Sequence, residues 1–147
     1  MTSQPPQTYL RWIGGKQRLA PRLRHFVPRD YLSRTYHEPF LGAASLFLAL
    51  RPRLAHLSDL NDTLIQSFTF VRARPDLVAR YITQHAARDS KAYYYEIRDQ
   101  YNRATCFSYA QAARFIYLNR TCYNGVFRVN REGYFNPDPA LADSRAA

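Results

Sequence analysis

Residues 35–59 read Thr-Tyr-His-Glu-Pro-Phe-Leu-Gly-Ala-Ala-Ser-Leu-Phe-Leu-Ala-Leu-Arg-Pro-Arg-Leu-Ala-His-Leu-Ser-Asp, and this stretch decides the fold. The β-prone run 35–38 leads into Pro39, which cannot donate to a strand ladder, so pairing should end there. Gly42 permits a turn closed to other residues, and residues 43–50 favour a helix. A second apolar run, 54–57, ends just before Asp59. The pattern therefore predicts a strand, a tight turn, a helix and a parallel strand, which is a βαβ unit.

The position of Asp59, 21 residues after Glu38, indicates a nucleotide-type cofactor site. In such sites the turn after the first strand approaches the ligand, and an acid about 20 residues on accepts ribose hydroxyls. The glycine pattern is not the dinucleotide fingerprint, because Ala44 stands where a second glycine might. An ordinary βαβ unit with a helix-breaking glycine gives the same pattern, so both interpretations stay open on these residues alone.

The composition indicates a single domain-sized globular chain with a polyanionic partner. The chain has 147 residues, 46% of them hydrophobic, and a formal net charge of +10. Lysine occurs only at Lys16 and Lys91, so nearly all the positive charge is arginine, whose planar fork suits phosphates and guanine edges. An arginine-rich composition inherited from a GC-rich genome is the alternative explanation.

The sequence does not favour a membrane protein, a secreted protein or a metal-binding protein. The longest apolar run, 40–50, is too short for a membrane span of about 20 residues, and no signal peptide or metal-binding pattern is present. Cys106 and Cys122 are best explained as free thiols in a reducing compartment. We therefore expect a cytoplasmic protein without a metal site or a membrane contact.

The segment 10–16, Leu-Arg-Trp-Ile-Gly-Gly-Lys, is a second candidate for ligand binding. Its two glycines expose backbone N–H groups and Lys16 adds a charge, which together suit an anionic or zwitterionic small molecule. A surface turn before a helix at 17–26, in which Pro21 marks either a kink or the true start, fits equally well.

Further helices are predicted at 62–72, 76–87 with Pro75 in the first turn, 91–103, and 108–118 with Ser108 as the N-cap.

A hairpin is predicted near the end of the chain. Runs 126–130 and 134–136 flank the turn Arg-Glu-Gly at 131–133. Arg120, Arg128 and Arg131 should lie there beside Tyr123 and Asn124. Arginine and asparagine read base edges and a ring can enter an opened stack, so this segment fits a DNA groove. An Asn-Gly turn with solvated arginines is the structural alternative.

Four blocks in this order resemble the Dam-type (D12 class) adenine-specific DNA methyltransferases. They are Leu-Arg-Trp-Ile-Gly-Gly-Lys at 10–16, Glu-Pro-Phe-Leu-Gly-Ala-Ala-Ser at 38–45, Asp-Leu-Asn at 59–61, and Tyr-Leu-Asn-Arg-Thr-Cys-Tyr-Asn-Gly at 117–125, followed by Phe-Asn at 135–136. The resemblance extends from about residue 9 to residue 136. It implies an α/β fold in which part of a Rossmann-like S-adenosylmethionine-dependent domain precedes a helical target-recognition segment with a β-hairpin.

The resemblance also implies roles for individual residues. The expected contacts to S-adenosylmethionine are Trp12, Lys16, Phe40, Gly42 and Asp59, with Asp59 on the ribose hydroxyls. The expected contacts to double-stranded DNA are Arg11, Arg120, Tyr123, Asn124, Val126 and Arg128, with the Tyr123 ring entering the duplex beside the flipped adenine. No catalytic residue is assigned.

Two departures from the family qualify this interpretation. Ala44 replaces a usual glycine, and a methyl group there should crowd the cofactor only modestly. The family's Asp-Pro-Pro-Tyr block, which holds the adenine amino group, does not occur, and the match fails after Asn136. We therefore expect a partial cofactor domain at 1–74, a recognition segment at 75–136 and a divergent, disordered tail at 137–147, with the C-terminal half of the sheet missing.

These observations predict the N-terminal portion of an adenine-N6 DNA methyltransferase that is inactive by itself. Two other interpretations stay open. The chain is a catalytically inactive DNA-binding remnant, or it is one subunit of a split enzyme whose second polypeptide carries the catalytic half.

Overall fold

The computed structural model describes residues 7–140, which form two compact units divided between Asp62 and Thr63. The first unit contains a short helix α1 (Ala20–Leu23), strand β1 (Thr35–Glu38), helix α2 (Ser45–Leu50) and strand β2 (Leu54–Leu57). The second is helical, with α3 (Asp62–Ala73) starting at the division, then α4 (Pro75–Ala87), α5 (Lys91–Arg103) and α6 (Tyr109–Thr121). The chain is thus an α/β protein in which helices predominate.

The two strands of the first unit pair as the sequence predicts. β1 and β2 are parallel, with Thr35 opposite Leu54 and Glu38 opposite Leu57. The ladder continues past both strands, because the Ser58 N–H group donates to Glu38 O at 3.0 Å and the Leu41 N–H group donates to Ser58 O at 2.9 Å. The turn after β1 is therefore attached to the end of β2. The two-stranded sheet fits part of a methyltransferase fold.

Two helices of the first unit are shorter than expected. The helix predicted at 17–26 is α-helical only in α1, since proline occupies its first turn, and it tightens into a 3₁₀ turn at Arg24–Phe26. The helix predicted at 43–50 begins at Ser45, because Ala44 has φ +59° and cannot belong to a right-handed helix. The first helix is therefore shorter at both ends and the second at its start, where the backbone conformation of Ala44 overrides helix propensity.

The second unit is built around α6, which is buried along most of its length. α4 and α5 both pack against α6, and Ser108 caps its first turn by accepting from the Gln111 N–H group at 3.2 Å. A core cluster joins α5 and α6 to the segment that follows them, through Tyr93, Tyr94, Ile97, Tyr117, Leu118, Cys122 and Phe135. This aromatic core fixes the positions from which the loop after α6 emerges.

The predicted hairpin is a chain reversal with one antiparallel bridge instead of two strands. Val129 and Phe135 form that bridge, and the Asn130 N–H group donates to Tyr134 O at 2.8 Å. The Phe135 backbone pairs elsewhere: its N–H group donates to Asn102 Oδ1 and its carbonyl accepts from Asn102 Nδ2, both at 2.9 Å. In the Val129–Phe135 bridge these two Phe135 groups point away from Val129, so the Asn102 side chain of α5 takes the place of a further strand on the outer side.

Residues 137–140, the start of the segment for which we expect disorder, are joined to α5 and α6 by hydrogen bonds. The Tyr94 hydroxyl donates to Pro137 O at 2.9 Å, and the Ala140 N–H group donates to Thr121 O at 2.8 Å. Buried backbone groups that find such partners hold a segment in place without regular structure. The remainder of the predicted tail, 141–147, and the first six residues lie outside the described part.

Within residues 7–140, no helix is long and apolar enough to cross a membrane.

A buried histidine should make the second unit sensitive to acid. His85 is 9% exposed and its Nδ1 lies 2.8 Å from the Tyr93 hydroxyl. Burial, followed by the positive charges of Arg114 and Arg88, lowers the pKa of His85 below its ordinary value of 6.5. The unfolded chain then binds more protons than the folded chain, so the stabilising contribution is present above pH 6.5 and is lost as the pH falls through the lowered pKa.

We predict that the free energy of unfolding declines as the pH falls below about 6.5, and that His85→Gln flattens this decline. Urea titrations at several pH values, followed by circular dichroism, measure the effect. His25→Gln is the control, because His25 is an exposed histidine of the first unit. An equal slope in wild type and His85→Gln would contradict the prediction.

Candidate functional site

The turn between β1 and α2 contains two residues in the left-handed backbone region. Gly42 has φ +51° and Ala44 has φ +59°. Glycine adopts this conformation freely, whereas for an L-residue it costs about 1–2 kcal/mol. Ala44 is also buried, at 2% exposure. The usual glycine at this position is therefore explained by backbone conformation, and the alanine here is held in place by the surrounding turn.

Asp59 joins this turn to the end of β2. Its Oδ2 accepts from the Gly42 N–H group at 2.8 Å, and its Oδ1 accepts from the Asn61 N–H group at 3.0 Å. The residue is half-buried. A carboxylate offers about four acceptor sites, so both oxygens keep capacity for a further donor. The structure thus fixes an acid beside the turn, in the place where ribose hydroxyls are expected.

Trp12 packs against the same turn. A Cβ atom built on Gly42 would lie 3.3 Å from Trp12 Cδ1, which is closer than an ordinary van der Waals contact. Trp12 is half-buried, and the Gly15 N–H group donates to its carbonyl at 3.0 Å, closing the glycine turn. Gly42 therefore serves two purposes, since it supplies the positive φ and leaves space for the indole ring.

Glu38 also belongs to this site, although sequence reasoning assigned it no role. It is 8% exposed, and its Oε2 accepts from the Tyr36 hydroxyl at 2.8 Å. Burial raises the pKa of its carboxyl, although the Tyr36 hydroxyl, the Lys16 charge and the Phe47 backbone N–H group each lower it. Phe47 lies in the first turn of α2. Glu38 therefore supports the start of α2 by accepting from an N–H group that has no partner within the helix.

One sequence signal could have identified Glu38. Residues 36 and 38 share one face of β1, and an acid on the inner face of a strand needs partners.

The five expected cofactor residues differ in how closely they contact the turn at Gly42. Trp12 and Asp59 both contact Gly42. Lys16 is half-buried, and its positive charge lowers the pKa of the Glu38 carboxyl at the end of β1. Phe40 is 77% exposed and does not take part in that packing. The exposed Phe40 ring keeps a face available for stacking.

Four of the expected DNA contacts lie together in the second unit. Tyr123, Asn124, Val126 and Arg128 line a hollow of about 640 Å³, whose other lining residues are Pro137, Asp138 and Pro139. We call this the recognition hollow. Tyr123 is 57% exposed, and Arg128 donates through Nε to Asn136 Oδ1 at 3.1 Å, which leaves its Nη donors for a ligand. The hollow combines an aromatic ring, an amide and a guanidinium.

Backbone conformation and hydrogen bonds hold the loop at residues 123–125, which forms one side of the recognition hollow. Asn124 has φ +54°, a conformation that asparagine tolerates better than most residues. Asn119 is fully buried and donates through Nδ2 to Gly125 O at 3.2 Å. The Tyr123 N–H group donates to Asp138 O at 2.8 Å. Tyr123 and Asn124 therefore project from a fixed backbone.

The two remaining expected DNA contacts do not line this hollow. Arg120 is exposed in the last turn of α6, and Arg11 is half-buried in the first unit. Arg131, which the sequence also placed here, is exposed at the tip of the chain reversal.

Metal binding has no support among the described residues. Residues 7–140 contain no group of three or more His, Cys, Asp or Glu side chains that could hold an ion. Cys122 is buried and donates through Sγ to Asn119 O at 3.5 Å, while Cys106 is exposed.

Residues 12–138 match the family model described as D12 class N6 adenine-specific DNA methyltransferase. The chain is 34% identical over 131 residues to the Type II methyltransferase M1.LlaDCHI of Lactococcus lactis subsp. cremoris, covering 87% of this chain and 45% of that protein. It is 36% identical over 133 residues to the DNA adenine methylase of Serratia marcescens, covering 88% of this chain and 47% of that protein.

A third relative is similar over the same share of this chain. The Type II methyltransferase M.MjaIII of Methanocaldococcus jannaschii is 30% identical over 146 residues, covering 87% of this chain and 50% of that protein. The chain spans about half the length of these curated relatives.

The contact between Gly42 and Trp12 can be tested through the single tryptophan of the chain. We predict that Gly42→Ala shifts the emission of Trp12 and destabilises the first unit, because the new methyl group would lie 3.3 Å from the indole ring. Gly133→Ala is the matched control. Gly133 also has positive φ, +86°, but a methyl group there meets nothing within 4 Å. Unchanged Trp12 emission in Gly42→Ala would contradict the placement of the ring.

Proposed function

Because the chain belongs to the D12 class N6 adenine-specific DNA methyltransferases, we propose that it binds S-adenosylmethionine and duplex DNA for methylation of adenine at N6. We assign cofactor binding to residues 1–74 and the main part of the DNA contact to residues 75–136. The observation that carries this proposal is the joining of Trp12 and Asp59 through Gly42.

The residues of the first unit fit the cofactor. S-adenosylmethionine supplies a methyl group activated by its sulfonium, and its other parts are an adenosine and a zwitterionic amino acid. Asp59 accepts from the ribose hydroxyls while its hydrogen bond to Gly42 holds the turn open. Trp12 and Phe40 offer aromatic faces, and the positive charge of Lys16 suits the carboxylate of the methionine part.

The second unit fits a duplex. The exposed Tyr123 ring enters the stack beside the extruded adenine, Arg128 and Asn124 face base edges, and Val126 supplies an apolar contact. Arg120 contacts the phosphate backbone, as Arg11 does from the first unit. The net charge of +10 adds a sequence-independent attraction to the polyanion.

We assign no residue of this chain to the transfer step. Adenine's exocyclic amine is a poor nucleophile and needs an acid, a carbonyl and an aromatic face around it. The family resemblance gives that task to an Asp-Pro-Pro-Tyr block, which the 147 residues do not contain. Asp59 is engaged with the turn, and Asp138 belongs to the recognition hollow. The comparisons offer no support for a second polypeptide.

Calorimetric titration with S-adenosylmethionine tests the cofactor proposal. We expect Asp59→Asn to weaken binding at least about tenfold, since hydrogen bonds to a charged acceptor contribute roughly 1.5–3 kcal/mol each. Asp62→Asn removes a nearby exposed acid and should leave the affinity unchanged. The emission of Trp12 without cofactor reports whether the turn itself has survived in Asp59→Asn. Equal affinity in wild type and Asp59→Asn would remove Asp59 from the site.

Fluorescence anisotropy with duplex DNA tests the second part. We expect affinity to fall steeply with salt and Arg120→Ala to weaken binding to all sequences alike, with a shallower salt slope. Arg128→Ala should instead reduce discrimination at one base pair by about 1–3 kcal/mol. Arg80→Ala, an exposed arginine of α4, is the control. A flat salt dependence would count against a DNA partner.

A further inference from the structure

Asp138 is an acid in a surface that otherwise suits DNA. Of the described residues that line the recognition hollow, it is the acidic one, beside Arg128, Asn124 and Tyr123. Its side chain is exposed, and its Oδ1 accepts from the Tyr95 hydroxyl at 3.4 Å. That distance is long for a hydrogen bond between two oxygens, so the carboxylate keeps most of its capacity as an acceptor.

The backbone holds this acid in a defined place. The Asp138 carbonyl accepts from the Tyr123 N–H group at 2.8 Å, and the next residue, Pro139, forms an antiparallel bridge with Cys122. On the other side the Pro137 carbonyl accepts from the Tyr94 hydroxyl and from Arg98 Nη1, at 2.9 and 3.3 Å. Asp138 is thus fixed directly to the residue expected to enter the duplex.

Physical chemistry restricts what such an acid can do against DNA. Phosphates repel a carboxylate, and every added negative charge weakens sequence-independent binding. A carboxylate is an acceptor without a donor, so it needs a base edge that offers an amino group. Cytosine presents its N4 amino group in the major groove, whereas adenine sets the acceptor N7 beside its amino group and so repels the second carboxylate oxygen.

We propose that Asp138 accepts a hydrogen bond from the N4 amino group of a cytosine in the bound duplex and thereby selects a G·C pair at one position of the recognised site. Arg128 on the same hollow offers donors that suit guanine, the partner of that cytosine. This inference rests on the proposed DNA-binding function and adds a specificity-determining residue to it.

The experiment is a selection from randomised duplexes with the full 147-residue chain, followed by sequencing of the bound DNA. Wild type should enrich cytosine at one position. Asp138→Asn should lose that preference by about fivefold or more, with the other positions unchanged. Glu96→Gln makes the same change of charge on the exposed surface of α5, outside the hollow, and should keep the preference. Both variants should bind random duplex more tightly than wild type, because each loses a negative charge.

Failure of the inference and failure of the proposed function give different results. A wild type that binds duplex DNA but shows the same base preferences as Asp138→Asn, or none, overturns the role of Asp138. A wild type that does not bind duplex DNA overturns the proposed function. Asp138→Ser, which also keeps the backbone carbonyl that holds Tyr123, is the second variant if Asp138→Asn does not fold.

Discussion

The hydrogen bond from the Gly42 N–H group to Asp59 Oδ2 is the constraint on which the first unit depends. It joins residues 17 positions apart and holds a turn that contains two left-handed residues, Gly42 and Ala44. A turn of this kind leaves backbone donors without partners unless a side chain supplies an acceptor. Glu38 has the corresponding function for α2, because its carboxylate accepts from the Phe47 N–H group in the first turn of that helix. Two carboxylates therefore stabilise one irregular segment, and the surface they shape is the one to which we propose that the cofactor binds.

In the second unit, side-chain amides and a hydroxyl group are the partners of backbone groups outside regular structure. Asn102 pairs with both backbone groups of Phe135, Asn119 holds the Gly125 carbonyl, and the Tyr94 hydroxyl holds Pro137. Leaving any of these buried groups unpaired would cost about 1–3 kcal/mol, so each contact specifies one arrangement of the loop. The rigid backbone that results lets a small set of exposed side chains, among them Tyr123, present a defined surface.

The two units differ in the charge that they offer to a ligand. In the first, the Asp59 and Glu38 carboxylates accept from backbone donors, and the positive charge of Lys16 lies close enough to Glu38 to lower the pKa of its carboxyl. In the second, the positively charged Arg128 and the negatively charged Asp138 both line the recognition hollow. An isolated acid reduces the general attraction to phosphate, and in return it distinguishes base edges that arginine alone would not.

The sequence by itself determined the elements whose signals lie in neighbouring residues. The strands at 35–38 and 54–57, the helices from Asp62 onward, the Ser108 cap and the order of the family blocks could all be identified in this way. Tertiary structure decided the rest. The buried role of Glu38, the pairing of the Phe135 backbone and the hydrogen bonds of residues 137–140 depend on partners that are distant in sequence, such as Phe47, Asn102 and Tyr94. Local propensity is encoded in adjacent side chains, whereas the pairing of an isolated carbonyl or N–H group depends on which residue the folded chain brings beside it.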